Sequence, residues 1–119
     1  MSLVTIFLTQ NGEKDDIIRI TRDSEYRSVY AVTYQANDVS KRRTFYLGEN
    51  DTMNYLSDVF KSLDFDTAPF VNVQVSTAIH PTIMYDANDL ADTDIRHRVE
   101  DMIHMTLRTK VHSSRSESE

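Results

Sequence analysis

Apolar and polar positions alternate every second residue in four successive stretches of the chain. Val4, Ile6 and Leu8 stand against Leu3, Thr5 and Phe7, and Ile18 and Ile20 share one side of residues 16–22. Tyr30, Val32 and Tyr34 alternate with Val29, Ala31 and Thr33 within residues 28–35, and residues 41–47 close the series with Phe45 and Leu47 in step. A two-residue period with β-branched and aromatic content is the pattern of a half-buried strand. The connections are short and polar. Asn11-Gly12 suits a type I′ turn, whose two central residues need positive φ, and residues 23–25 and 36–38 supply the next two turns. Strands joined in this way form an antiparallel meander.

Gly48 interrupts the alternation, and the period then changes. Met53, Leu56, Val59, Phe60 and Leu63 fall on one helical stripe, so a helix is expected from about residue 51 to 63 with Asn50, Asp51 or Thr52 as its cap. Residues 64–69 form a loop ending in Pro69, a residue suited to the start of a strand but not to its interior. The clearest strand follows at residues 70–77, with Val71, Val73 and Val75 on one side; His80-Pro81 breaks it from a short strand at 82–85. A final helix, capped by Asp89, Asp92 or Thr93, runs to Lys110 and buries Ala91, Ile95, Val99, Met102, Ile103 and Thr106, with Met105 and Leu107 at its margins. Asp94/Arg98 and Arg96/Glu100 are four apart on it, a spacing worth ~0.2–0.5 kcal/mol per pair.

The expected fold class is α+β: an antiparallel four-stranded meander, then a helix, one or two further strands and a long C-terminal helix, arranged as one sheet or two. Expected core positions are Val4, Ile6, Leu8, Ile18, Ile20, Val32, Phe45, Leu47, Leu56, Phe60, Leu63, Val71, Val73, Val75, Ile83, Ile95, Val99, Met102 and Ile103. Residues 1–111 read as a single globular domain, in keeping with a length of 119 residues and the usual domain size of ~100–150. Residues 112–119 read as a disordered polar tail.

Composition narrows the chemistry. The chain has no cysteine, which removes disulfides, thiolate metal sites and cysteine nucleophiles. Its two glycines, Gly12 and Gly48, cannot build a phosphate-cradling loop, and no serine sits in a glycine-flanked elbow. No apolar run approaches the ~20 residues of a membrane span, and no leader peptide is recognisable. The expected protein is soluble, intracellular and cytoplasmic, with no membrane partner. Net charge is −6, but residues 1–50 are balanced and the acid lies beyond them, which disfavours wholesale attraction to nucleic acid or anionic lipid.

Four clusters could still carry function. Residues 86–94 hold Asp86, Asp89, Asp92 and Asp94, a density that invites a hard cation or a metal-dependent hydrolase. As a calcium loop the stretch fails in detail: Asp86 and Asn88 suit the first and third positions, but Leu90, Ala91 and His97 occupy the fifth, sixth and twelfth. Asp and Asn are also the usual turn and cap residues before a helix. Asp64 and Asp66 form a second acidic pair. His97, Asp101 and His104 project from one side of the last helix at a spacing that could hold zinc, or could simply form a solvated polar face. Lys41, Arg42 and Arg43 adjoin Phe45 and Tyr46, near Tyr30 and Tyr34; basic side chains neutralise phosphates, and exposed aromatics stack bases. Alternatively the aromatics fill the core and the basic residues guard an edge strand.

Four strands followed by a helix resembles the element order of single-stranded-DNA-binding modules of the Whirly and transcription-coactivator type, a likeness of topology that transfers no function. Residues 66–70 with Gln74, His80-Pro81, Ile83 and Asp89-Leu90 resemble segments in small uncharacterised proteins of large DNA viruses. That resemblance covers about a quarter of the chain and implies no function, though it would place the protein in the cytoplasm of an infected host. The expected role is a non-enzymatic protein–protein interaction or structural module that needs no cofactor and works as a homodimer. The alternative is a single-stranded nucleic-acid binder using Lys41, Arg42, Arg43, Tyr30, Tyr34 and Tyr46; a metal-dependent hydrolase using the acidic loop comes third.

Overall fold

The computed structural model describes residues 2–9, 16–23, 25, 28–36, 41–62 and 72–109. The turns expected at Asn11-Gly12 and Asn37-Asp38, the loop at 64–69, the core positions Leu63 and Val71, the Asp64/Asp66 pair and the tail lie outside the described residues.

Six strands form one antiparallel sheet: β1 (Ser2–Thr9), β2 (Asp16–Arg22), β3 (Val29–Gln35), β4 (Arg42–Gly48), β5 (Asn72–Thr77) and β6 (Ile83–Asp86). Their order across the sheet is β4-β3-β2-β1-β5-β6. The meander of β1 to β4 is therefore present, and β5 extends it on the far side of β1. Helix α1 (Glu49–Ser62) joins β4 at one edge to β5 beyond β1, a short helix α2 (Ala87–Ala91) follows β6, and α3 (Thr93–Arg108) closes the described chain. This is the expected α+β class, with both further strands in a single sheet.

Register decides which face is covered. Val32 of β3 lies opposite Ile20, Ile20 opposite Val4, and Val4 opposite Thr77. One row along, Tyr34, Ile18, Ile6, Val75 and Ile83 are successive partners. These rows face the helices. Val4, Ile6, Ile18, Ile20, Val32, Val73 and Val75 are fully buried there against Leu56 and Phe60 of α1 and Ile103 and Leu107 of α3, with Val99 nearly so. Each such aliphatic side chain contributes about 1.5–3 kcal/mol by leaving water. Neither α1 nor α3 covers the opposite face, and apart from Leu3, at an irregularity in the β1–β2 register, none of its described residues is buried.

Expected and observed cores differ at informative places. Phe45 points to the helix side but is 37% exposed, because β4 is the edge strand and no described strand lies beyond it. Leu47, Ile83, Ile95 and Met102 are half-buried. Leu107, expected at the helix margin, is fully buried, and Leu3, Tyr30, Leu90 and Thr52 join the core. Thr52 is satisfied there by donating its hydroxyl to the Gly48 carbonyl at 2.7 Å, which ties the first turn of α1 to the end of β4.

The end of α3 is held to the sheet by polar contacts. The Tyr30 hydroxyl donates to the Leu107 carbonyl at 2.8 Å, and Arg22 Nη2 donates to the same oxygen at 2.7 Å and to the Thr109 carbonyl at 3.3 Å. The Arg22 guanidinium also lies 5.9 Å from the Tyr30 ring centroid. A cation on the last carbonyls of a helix complements its dipole. Tyr30→Phe removes one neutral donor while Arg22 still serves Leu107, so the expected loss is about 1 kcal/mol in denaturant unfolding. A loss near zero would show that this hydroxyl does not anchor the helix.

Candidate functional site

The acidic stretch resolves into helix ends. Asp86 accepts from the Asp89 amide at 2.9 Å while Asp89 accepts from the Asp86 amide at 3.1 Å, a reciprocal capping box on α2. Asp92 caps α3 by accepting from the Asp94 amide at 2.9 Å and from the Ile95 amide at 3.4 Å. Three carboxylates spaced three residues apart thus start two successive helices, and buried Leu90 pins the first of them to the core. The α2 helix was not foreseen; the signal for it was the repeat of Asp at 86, 89 and 92.

His97, Asp101 and His104 do share α3, but they have separate environments. His97 and Asp101 are exposed. His104 turns towards α1, its Nε2 2.5 Å from Oε2 of Glu49, and the Arg108 Nε lies 3.8 Å from the same oxygen. Among the described residues no three His, Asp or Glu side chains come together to hold a metal. Glu49 is the partner that periodicity could not supply, since it lies 55 residues from His104.

The hydrogen bond from His104, aided by Arg108, holds the Glu49 carboxyl below the usual carboxylate range. A carboxyl depressed in the folded state stabilises above its unfolded value, about 4.3, and that contribution is lost as pH falls through the lower folded value. Wild-type protein should therefore exceed Glu49→Gln in melting temperature at neutral pH, and the two should converge at acid pH. A gap that does not change with pH would contradict the pairing.

The basic and aromatic cluster is divided between the two faces of the sheet. Tyr34 lies opposite Arg43, Val32 opposite Phe45 and Tyr30 opposite Leu47, so these six face the helices. Tyr30 is buried, and the Tyr34 hydroxyl donates to Asp16 Oδ2 at 2.7 Å. Burial and that hydrogen bond push the Tyr34 phenol well above its ordinary range. Neither ring is free to stack a base. Lys41, Arg43 and Phe45 line a small cleft of about 350 Å³ with Tyr34 and Tyr55, where the Phe45 and Tyr55 rings are 5.8 Å apart. Arg42, Thr44 and Tyr46 lie on the uncovered face, with Tyr46 65% exposed. On that face β1 to β4 carry Phe7, Ile17, Arg19, Arg42 and Tyr46 among threonines, and no carboxylate.

A wider open groove, about 820 Å³, lies between Arg22, Tyr30, residues 48–51 and the end of α3. It is lined by Glu49 and Asp51 as well as Arg22 and Arg108, and Arg22 is already engaged with the α3 carbonyls.

The β4 edge is where unpaired potential gathers. All five residues from Arg42 to Tyr46 are exposed, and a strand edge presents unpaired backbone donors and acceptors. Phe45 and Tyr46 are there, two of the four large exposed hydrophobics among the described residues, with Met84 and Met105 elsewhere. Comparison of the chain with protein-family models, curated proteins and solved structures finds no match.

Proposed function

We propose that this chain is a non-enzymatic protein–protein interaction module that associates with itself through the side of the sheet bounded by β4. The observation that carries this reading is the edge itself: seven residues of strand whose exposed side chains include two arginines, a phenylalanine and a tyrosine. Aromatic residues and arginine are enriched in interfaces, where lysine, aspartate and glutamate are depleted, and they dominate the residues that carry binding energy. The other free edge, β6, has only four residues, and short edges are one way proteins discourage pairing. Light scattering is expected to give about twice the monomer mass of 13.8 kDa, and Phe45→Glu/Tyr46→Glu is expected to return the protein to a folded monomer. A wild-type monomer at working concentration would overturn the reading.

A second reading rests on the uncovered face, where β1, β2 and β4 present Phe7, Arg19, Arg42 and Tyr46 and none of β1 to β4 presents a carboxylate. Such a face suits a single-stranded nucleic acid, with backbone neutralised by arginine and bases stacked on rings. An oligonucleotide should then bind more weakly as salt rises, and Arg19→Gln/Arg42→Gln should weaken it further. Binding that ignores this double substitution would rule the reading out.

A further inference from the structure

We infer that two copies of the chain pair antiparallel along β4 about a dyad at Thr44, joining the two sheets into one of twelve strands. This rests on the self-association proposed above and specifies its register. Residues directly opposite in an antiparallel pair point to the same face, so a dyad on β4 must pass through a residue, and few choices exist. A dyad at Arg43 sets the two Arg43 guanidinia directly opposite each other, a repulsive arrangement. A dyad at Phe45 or Tyr46 places like rings together and leaves Arg42 opposite Gly48 or unpaired. A dyad at Thr44 sets Arg42 opposite Tyr46 on the uncovered face and Arg43 opposite Phe45 on the helix side. Every arginine of the strand then meets an aromatic ring of the other copy, which attracts it through the ring's quadrupole.

Two local features fit this register. On the uncovered face the Thr33 and Thr44 hydroxyls are 3.1 Å apart, and a Thr44 dyad extends that row from Thr33 through both Thr44 residues to the other Thr33. On the helix side, Arg43 of the second copy arrives beside Phe45, at the aromatic wall that Phe45 forms with Tyr34 and Tyr55 in the cleft also lined by Lys41 and Arg43. No carboxylate lies on β4 to compete for either arginine. The basic residues thus select a register; they would guard the edge only if pairing forced them together.

The chain's lack of cysteine makes the test clean. Single variants Arg43→Cys, Thr44→Cys, Phe45→Cys and Tyr46→Cys are each oxidised with oxidised glutathione after circular dichroism confirms folding. Facing Cα atoms are about 4.5–5.5 Å apart, within the range a disulfide spans. Thr44→Cys is expected to cross-link to itself faster than the other three by on the order of a hundredfold, as expected when a dimer's effective concentration replaces random encounter. An equimolar mixture of Arg43→Cys and Phe45→Cys is expected to give the mixed disulfide, which keeps the register testable without altering Thr44. Preferential self-linking at 43, 45 or 46 would overturn the Thr44 dyad. A dimer by light scattering with no β4 cross-link would reject this edge while leaving self-association standing; a monomer would reject both.

Discussion

Replacing Val73 with aspartate should abolish the cooperative thermal transition of this protein. Val73 is fully buried in β5, opposite Leu8 on one side and Tyr85 on the other. It therefore sits in the seam by which β5 fastens β6 to the meander. Its cross-strand partners, Leu8 and Tyr85, offer no cation to a carboxylate placed there. The effective penalty for burying an unpaired charge is several kcal/mol, and whole domains are stable by only about 5–15 kcal/mol. Gln74→Asp, one residue along and turned to the uncovered face, provides the control and should change stability by only about 0.5 kcal/mol. If the Val73 variant melted like wild type, β5 could not lie where the register places it.

Phe60→Ala carries the second large effect. Phe60 is the largest fully buried side chain among the described residues, and it lies on α1 against the sheet. Truncating a buried phenylalanine typically costs about 3–5 kcal/mol, because lost transfer energy adds to the cavity left behind. The urea midpoint should fall sharply with little change in slope, since the surface exposed on unfolding hardly changes. Val59→Ala, at a half-buried neighbour, should cost much less. A Phe60→Ala loss within about 0.5 kcal/mol, the scale of surface substitutions, would mean that α1 does not seal the core.

Much of this fold was legible in the chain because two-residue alternation is a direct record of a sheet with one covered face. Val4, Ile6 and Leu8, Ile18 and Ile20, and Val73 and Val75 all lie on the side that alternation assigned to the core. What the pattern could not carry is information held between elements. Whether β5 joins β1 or begins a second sheet is a tertiary matter, and so is the burial of Leu107, whose carbonyl accepts from Arg22 and Tyr30 at the last turn of α3. The basic and aromatic cluster divides between the two faces for a similar reason. Even-numbered residues of β3 share a face with odd-numbered residues of β4, so Tyr30 and Tyr34 are separated from Tyr46. Register between hairpin strands is set by the turn, and a one-residue slip inverts every side chain. Nor did the position of β4 in sequence announce that both its faces would remain exposed.

The most direct test of the proposed association is amide hydrogen exchange along β4, followed at high protein concentration and again after extensive dilution. Amides on the free side of an edge strand exchange readily, whereas pairing protects them. Concentration-dependent protection confined to residues 42–48, with β6 unchanged, is the result expected of a β4-paired dimer. Equal exchange of those amides at both concentrations, in a sample whose mass doubles on concentration, would place the interface elsewhere.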